Sequence, residues 1–292
     1  MTARRLALRR LAAALVCASL LAPPAPAAEL KKKSVETFDR YIRLTEVRVD
    51  TELQKSGPFL WVDALSGPAR SLAYDRLRRG EVVIERMKTL DGGQPIRDGD
   101  SLIHHWIGTV FIPGVTLQQT IDLAQQYDRH AEVYKPDVMK AKILARDANH
   151  FTVFFRFFKH KAVITTVHNT VHEVHYIPMD AHRLQTRTWT TRIAQVEDHD
   201  KPDGPEKPIG NDGGYLWRLN TYWRYLERDG GTYIQLESVS LTRDIPAIIA
   251  WIIRPFVEGV PRESVAFTLG TTRTALMDLH ASTTTNKISP VL

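Results

Sequence analysis

The stretch YLWRLNTYWRYLERDGGTYIQLESVSLTR, residues 215–243, decides the fold. Aromatic and β-branched residues fill both of its halves, which predicts two strands over Tyr215–Arg228 and Thr232–Arg243. Asp229-Gly230 between them is typical of a two-residue hairpin turn. Such a turn fixes the register, so Trp223 lies opposite Leu236. The stretch therefore predicts an antiparallel hairpin with two defined faces.

Alternate residues of a strand share a face. On one face of this hairpin, large apolar side chains give way along the strands to small hydroxyl side chains. We expect this face to be concave and to hold an apolar ligand, with large rings beside small residues leaving room for it. His105, from an earlier strand, is added to this set as a candidate. The alternative is a plain filled core. The predicted ligand-binding residues are Trp217, Leu219, Thr221, Trp223, Ser238, Ser240 and His105.

The other face of the hairpin is polar. Tyr222 lies opposite Glu237, and Arg224 is diagonal to that pair. We predict that these three residues form a polar anchor at the mouth of the pocket. The alternative is a solvated cross-strand ion pair, which contributes less than about 1 kcal/mol.

More strands precede the hairpin, each bounded by turn residues such as Asp147-Ala148-Asn149. A helix is expected between the first two of them, over Leu117–Val133, with Thr116 as its N-cap and Pro136 beyond its end. The predicted earlier strands are Ser101–Ile112, Asp137–Arg146, Phe151–Lys159, Val163–Tyr176 and Arg183–Val196.

A long helix is predicted after the hairpin, beginning at Pro261, since proline is favoured at a first helical position. A shorter helical stretch is expected before it, after Asp244-Ile245-Pro246. An antiparallel sheet buries one face, and the long helix is its natural cover. Its apolar stripe recurs at helical spacing. The stripe consists of Val265, Leu269, Thr272, Leu276 and Leu279.

This order of elements resembles the START-like superfamily, which includes polyketide cyclases, lipid-transfer domains and coenzyme Q-binding proteins. The resemblance covers about residues 100–280. It implies an α+β helix-grip fold, in which a curved antiparallel sheet of about six or seven strands wraps on a long C-terminal helix. It also implies an apolar ligand between sheet and helix. The local likeness lies in Phe111-Ile112-Pro113 before Thr116, in Gln126-Tyr127-Asp128 through Tyr134-Lys135-Pro136, and in Leu219-Asn220-Thr221-Tyr222-Trp223-Arg224.

The N-terminus is typical of a cleavable signal peptide over residues 1–27. Four arginines precede the apolar run Leu11–Leu21, and Ala25-Pro26-Ala27 fits the small-x-small cleavage pattern. The run is too short to span a membrane, which needs roughly 20 residues. We expect export to the periplasm, and both the general secretory and twin-arginine routes remain open. The rest divides into a helical N-terminal extension (28–95), a START-like domain (96–280) and a disordered tail (281–292).

Composition narrows the function classes. The chain has 39 basic and 33 acidic residues, and loss of four signal arginines leaves 35 against 33. This near balance removes the main support for nucleic-acid binding. Cys17 is the single cysteine and lies in the signal. The mature chain therefore has no disulfide, thiol nucleophile or cysteine zinc ligand.

Two histidine motifs stand out. His168, His172 and His175 could share a helix face and bind zinc, but their β-branched neighbours predict a strand. On a strand His172 and His175 face opposite ways, and His168 and His172 lie roughly 13 Å apart. We therefore predict no metal site. In His104-His105-Trp106, at most one imidazole faces a cavity.

The leading hypothesis is an exported START-like domain that encloses an apolar or amphipathic, lipid-like small molecule. A second is a polyketide-cyclase-like enzyme that uses His105, Arg192 or Glu237 as acid, base or electrostatic support. A third is a cell-envelope interaction module with a filled core. No Gly-x-Ser-x-Gly motif or glycine-rich phosphate loop is present, and no cofactor, protein partner or later membrane span is predicted.

Overall fold

A computed structural model describes residues 28–54, 57–161, 164–197, 204–244 and 247–288. Within the last range, only the backbone is described for 247–258 and 283–288. The predicted signal peptide and most of the predicted tail therefore lie outside the residues described in full.

Eight strands form one antiparallel sheet. Across the sheet their order is β1-β2-β8-β7-β6-β5-β4-β3. The strands are β1 (Val83–Arg86), β2 (Ser101–Pro113), β3 (Val138–Asp147), β4 (His150–Lys161), β5 (Ile164–Pro178), β6 (Arg183–Gln195), β7 (Arg218–Arg228) and β8 (Gly231–Arg243).

The hairpin of β7 and β8 has the predicted register, with Trp223 opposite Leu236 and Thr221 opposite Ser238. Its two turn residues, Asp229 and Gly230, have φ values of 59° and 73°. Positive φ at both positions is the conformation that Asp-Gly favours in two-residue hairpins. The turn therefore sets which side chains share each face.

The sheet has eight strands, whereas six or seven were expected. β1 pairs with β2 at the edge of the sheet and contains only four residues, too few to show a clear alternation. It comes from the segment assigned to the N-terminal extension, so that segment contributes directly to the sheet.

In the described part of the chain, five α-helices accompany the sheet: α1 (Lys32–Gln54), α2 (Gly67–Arg78), α3 (Leu117–Gln125), α4 (His130–Val133) and α5 (Ala247–Ile288). Thr116 caps α3 as predicted, through a hydrogen bond from the Gln119 backbone amide. The helix predicted over 117–133 is broken, because a 3₁₀ turn at Tyr127–Arg129 separates α3 from α4.

The predicted start of the last helix at Pro261 is wrong. α5 begins at Ala247 and runs as one helix of 42 residues through that proline. Proline suits a first helical turn, whereas inside a helix it removes one backbone hydrogen bond and crowds the preceding turn, yet α5 continues through Pro261. Pro261 therefore marked no boundary.

α5 covers one face of the sheet, called the inner face. Val265, Leu269 and Leu276 belong to the same buried cluster as Leu236 of β8, which confirms that this helix closes the sheet. At Gly108 of β2, an added Cβ would lie 2.8 Å from Leu269 Cδ1. The helix thus packs almost on the strand backbone and gives the helix-grip arrangement.

The opposite, outer face is also covered. α1 packs Phe38, Tyr41 and Ile42 against Val239 and Leu241 of β8. α2 belongs to a second buried cluster on the same side. The sheet therefore lies between helices from the two ends of the chain. Among the described residues, no helix has both the length and the apolar character needed to cross a membrane.

Candidate functional site

Four hydroxyl side chains lie together on the inner face of the three central strands. Thr221 of β7 is paired with Thr188 of β6 on one side and with Ser238 of β8 on the other. Ser240 follows two residues further along β8, on the same face. These four residues are called the hydroxyl row.

None of the four hydroxyls has a hydrogen-bond partner within the described part of the chain. Their neighbour Thr190 differs, because its Oγ1 accepts a hydrogen bond from the Leu219 amide at 3.1 Å. Thr188, Thr221 and Ser238 are partly exposed, although they occupy the middle of a sheet covered by a helix. Polar groups in such a position are ordinarily paired. The hydroxyl row therefore faces open space.

Aromatic rings border the hydroxyl row. Trp106 of β2 is paired with Ser238 and is partly exposed. Trp223 is also partly exposed and stacks on the buried ring of Tyr225, with centroids 6.1 Å apart and an interplanar angle of 2°. Burial raises the pKa of Tyr225 well above its ordinary value, so its hydroxyl stays protonated and bonded to Thr186. The site has apolar walls and a hydroxylated floor.

The inner face of the central strands carries no ionisable acid or base apart from the Tyr225 hydroxyl. At the edge of the sheet, the guanidinium of Arg86 of β1 lies 5.9 Å from the centre of the Trp106 ring. Inner-face positions on the three strands are Leu184, Thr186, Thr188, Thr190, Leu219, Thr221, Trp223, Tyr225, Ile234, Leu236, Ser238, Ser240 and Thr242.

His168 and His172 lie on the inner face of β5, which confirms the predicted strand. Burial lowers the pKa of His168 to about 4 and that of His172 to about 3, so both imidazoles are neutral at physiological pH. His172 Nε2 lies 2.8 Å from Thr170 Oγ1, whereas His168 Nε2 has no partner within the described residues.

His175 lies on the outer face, with ring centroids 4.0 Å from His150 and 4.8 Å from Trp189. The three histidines of the motif therefore do not converge. In the described ranges, no group of three or more histidine, cysteine, aspartate or glutamate residues is arranged to hold a metal ion.

His105 does not belong to the inner-face site, contrary to its inclusion among the ligand-binding residues. It lies on the outer face, and its Nε2 is 2.6 Å from Glu237 Oε1 while its Nδ1 is 2.9 Å from the Tyr41 hydroxyl. The Thr89 amide donates to the same hydroxyl at 2.8 Å. His105 Nε2 therefore donates to the Glu237 carboxylate, and Nδ1 shares a hydrogen bond with the Tyr41 hydroxyl. His104 is the residue of the pair that faces inward, bonded to Thr242 at 3.0 Å.

Trp217 is also misplaced by the prediction. It precedes the first residue of β7, so the alternation of the strand does not extend to it. Its indole packs on the outer face with Phe38 and Val239, and its Nε1 donates to Asp212 Oδ1 at 3.1 Å. Leu219, Thr221, Trp223, Ser238 and Ser240 keep the predicted side.

The predicted polar anchor is neither a solvated ion pair nor part of the mouth of the inner-face site. It consists of Tyr222, Arg224 and Glu237. They are 3%, 2% and 0% exposed, because α1 covers them. Arg224 donates to Glu52 at 2.6 Å, and the Tyr222 hydroxyl to Glu46 at 3.1 Å. These contacts belong to a buried charged network between α1 and the outer face.

Arg48 joins this network to Glu237. It contacts the Glu237 carboxylate and also donates to Glu52 at 2.7 Å. Burial alone would raise the pKa of Glu237, but the His105 hydrogen bond and the charges of Arg48 and Arg224 hold it below its ordinary value. The buried carboxylate is therefore charged and matched by cations.

The covering role of α1 was missed by sequence reasoning, although a signal was present. Phe38, Tyr41, Ile42, Thr45 and Val49 are the buried positions that follow helical spacing along α1. This stripe predicts a helix packed on an apolar surface, and the polar side of the hairpin was not recognised as its partner.

Two grooves lie beside the covered inner face rather than on the hydroxyl row. One of about 490 Å³ runs along α5 and includes Phe267, Gly270 and Thr274. The other, of about 260 Å³, lies between the end of β4 and α5, beside Phe158 and Lys161. Neither is lined by a predicted ligand-binding residue.

The residues named for the enzyme hypothesis are only partly brought together. His105 and Glu237 are in contact, but both are covered by α1. Arg192 binds Glu206 instead, at 3.1 Å. None of the three faces the hydroxyl row.

No protein-family model matches the sequence, and no curated protein is significantly similar to it. A STAR-related lipid transfer protein from Xanthomonas axonopodis aligns with 66% of this chain and 98% of its own, at 14% identity and a TM-score of 0.42. A Streptomyces aromatase/cyclase aligns with 60% and 94%, at 12% identity and 0.39. A human lipid transfer and protein localization domain aligns with 73% and 98%, at 6% identity and 0.40. These likenesses concern the fold alone, and the observed antiparallel sheet and C-terminal helix have a helix-grip arrangement.

Proposed function

We propose that this chain is an exported binding protein that encloses an apolar or amphipathic small molecule between the inner face of its sheet and α5. The proposed contacts are Trp106, Trp223 and the hydroxyl row. Burial of apolar ligand surface drives binding, at about 25 cal/mol per Å². Export rests on the arginine-rich, apolar and small-residue segments that precede Ala28.

The open, unpaired hydroxyl row carries this proposal. A filled core leaves few polar groups without partners, because each buried unpaired group costs about 1–3 kcal/mol. Here four hydroxyls lie side by side without a partner in the described residues, and three of them are partly exposed. A ligand or water in this space satisfies them, which favours a binding site over a filled core.

The enzyme hypothesis receives less support from the same geometry. The inner face of the central strands offers hydroxyls and a Tyr225 phenol that burial keeps protonated. General acid–base catalysis needs a group that titrates near the working pH and touches the substrate. The acid and base candidates proposed from the sequence, His105 and Glu237, are on the far side of the sheet.

Thr221→Trp tests the site directly. The indole fills the space in front of β7, so we expect loss of saturable binding of N-phenyl-1-naphthylamine, a neutral apolar fluorophore. The free energy of unfolding should change by less than about 1 kcal/mol, whereas overpacking a filled core costs about 1–3 kcal/mol. Thr191→Trp, at an exposed position of β6, is the matched control and should bind as the wild type does.

Two results contradict the proposal. In the first, the wild type binds no fluorophore and native mass spectrometry of the purified protein shows no bound small molecule. In the second, Thr221→Trp strongly destabilises the protein, which identifies the inner face as ordinary core. Chemical alteration of a bound ligand during incubation would instead favour an enzyme.

A further inference from the structure

We infer that the inner-face site selects uncharged amphiphiles, molecules whose polar end is a hydroxyl or carbonyl group rather than a carboxylate or phosphate. This inference rests on the proposed function and specifies its ligand class. Two observations support it: the polar groups of the hydroxyl row are uncharged, and the described cations near the sheet lie on its other face or at its edge.

The polar groups of the site are neutral hydrogen-bonding groups. Thr188, Thr221 and Ser238 lie on adjacent strands about 4.8 Å apart, so their hydroxyls form a row about 10 Å long. A hydroxyl both donates and accepts, which suits a ligand hydroxyl or carbonyl at any point of the row. Ser240 extends the same surface along β8.

Among the side chains that the structure describes, a charged ligand group finds no counter-charge on this face. No cation is present on the inner face of β6, β7 and β8, and the imidazoles of His168 and His172 further along are kept neutral by burial. An anion moved from water to such a surface loses hydration without gaining a partner. An uncharged polar group loses far less and recovers it through the free hydroxyls.

Among the residues with described side chains, the cations nearest in sequence to the hydroxyl row on β7 and those of α1 lie elsewhere. Arg48 and Arg224 are held by acidic partners under α1, on the other side of the sheet. Arg86 is at the edge, two strand spacings or about 10 Å from Ser238, and has interactions of its own. Arg86 is the one described cation that a ligand anion could reach at that edge, and it therefore enters the test.

The experiment compares 1-tetradecanol with myristate, which share a chain length and differ in the polar end. Each displaces N-phenyl-1-naphthylamine from the full protein at pH 8. We expect the alcohol to bind at least about tenfold more tightly, the equivalent of about 1.4 kcal/mol. Myristate should gain affinity as the pH falls and its carboxylate is protonated.

The double variant Thr221→Val, Ser238→Ala removes two hydroxyls and keeps the shape of the site nearly unchanged. Tetradecanol affinity should fall about thirtyfold, since the loss of two neutral hydrogen bonds of about 1 kcal/mol each amounts to about 2 kcal/mol. The loss of affinity for the fluorophore should be smaller than the loss for tetradecanol, and thermal stability should stay at the wild-type value. Thr191→Val, which removes an exposed hydroxyl from β6, is the control and should change nothing.

The outcomes separate the two proposals. If no probe binds, the proposed function itself fails. If the fluorophore binds but myristate equals or exceeds tetradecanol at pH 8, the selection for uncharged ligands is refuted while the site remains. Loss of myristate binding in Arg86→Gln would then identify an anion site at the sheet edge. An alcohol preference that survives the double variant also refutes the role of the hydroxyl row.

Discussion

Replacing Gly108 with alanine probes the closest contact between α5 and the sheet. The new methyl carbon would lie 2.8 Å from Leu269 Cδ1, 2.9 Å from Val265 Cγ1 and 3.2 Å from Ile84 Cγ1. The first two distances are shorter than packed carbon atoms tolerate, so the helix or the strand must shift. The variant therefore measures how tightly the helix is held.

The expected size of the effect follows from two opposing contributions. Overpacking a well-filled core costs about 1–3 kcal/mol. Alanine recovers about 0.5–1 kcal/mol, because glycine loses more backbone entropy on folding. We expect Gly108→Ala to lower the free energy of unfolding by about 1–2 kcal/mol. Leu269→Ala, at a side chain with 0% exposure, should lower it by about 2–5 kcal/mol.

The double variant Gly108→Ala, Leu269→Ala makes the test specific. Removal of the leucine side chain makes room for the new methyl group, so the combined loss should be smaller than the sum by about 1 kcal/mol. Gly270→Ala is the control, because its Cβ meets nothing within 4 Å and alanine favours a helix.

Urea denaturation followed by far-ultraviolet circular dichroism gives each free energy. The control should unfold at the same or a higher urea concentration. Additive losses in the double variant, or a neutral Gly108→Ala, would show that α5 does not pack on β2 as described.

Three further predictions address other parts of the molecule. N-terminal sequencing of protein exported by a Gram-negative host should show cleavage after Ala27 or Ala28, and a mature chain that retains Leu11–Leu21 would be inconsistent with a signal peptide. Glu237→Gln should lower stability at pH 7 by about 1–3 kcal/mol, because Arg48 loses one of its two acidic partners and His105 loses its charged acceptor. The pKa of Glu237 in the folded protein is below its ordinary value of 4.5. The contribution of Glu237 to stability is therefore fully present above pH 4.5 and is lost as the pH falls through the folded-state pKa. The gap between variant and wild type should therefore shrink in acid, and a gap independent of pH contradicts the buried network. Elemental analysis should find no stoichiometric zinc, whereas zinc that is lost in His168→Ala or His172→Ala would establish a metal site.

The sheet was largely predictable because its signals are local. β-branched and aromatic runs placed the long strands to within a few residues, and Asp229-Gly230 set the register of the last hairpin. The side of the sheet covered by α5 followed from alternation, since Trp223 and Thr221 project toward that helix.

The outer face was not predictable by the same rules. Polar residues on one side of an antiparallel strand ordinarily face water, so Arg224 and Glu237 indicated a solvent surface. In the structure they are buried because α1 brings Arg48 and Glu52 to meet them. Charge matching between segments far apart in sequence leaves no local pattern. His105 was misassigned for the same reason, since its partners Tyr41 and Glu237 come from opposite ends of the chain.

The pairing of distant segments also fixes when folding is completed. Arg48 meets Glu237 across 189 positions of sequence, and β2 pairs with β8 only after the strands between them have been made. Contacts of such separation are slow to form, because long loops must close first. When α1 and β2 have been synthesised, β8 and α5 have not. At that stage α1 and β2 therefore lack the segments that they pack against in the folded protein. During that interval β2 lacks the strand that pairs with it, and Arg48 lacks the Glu237 carboxylate.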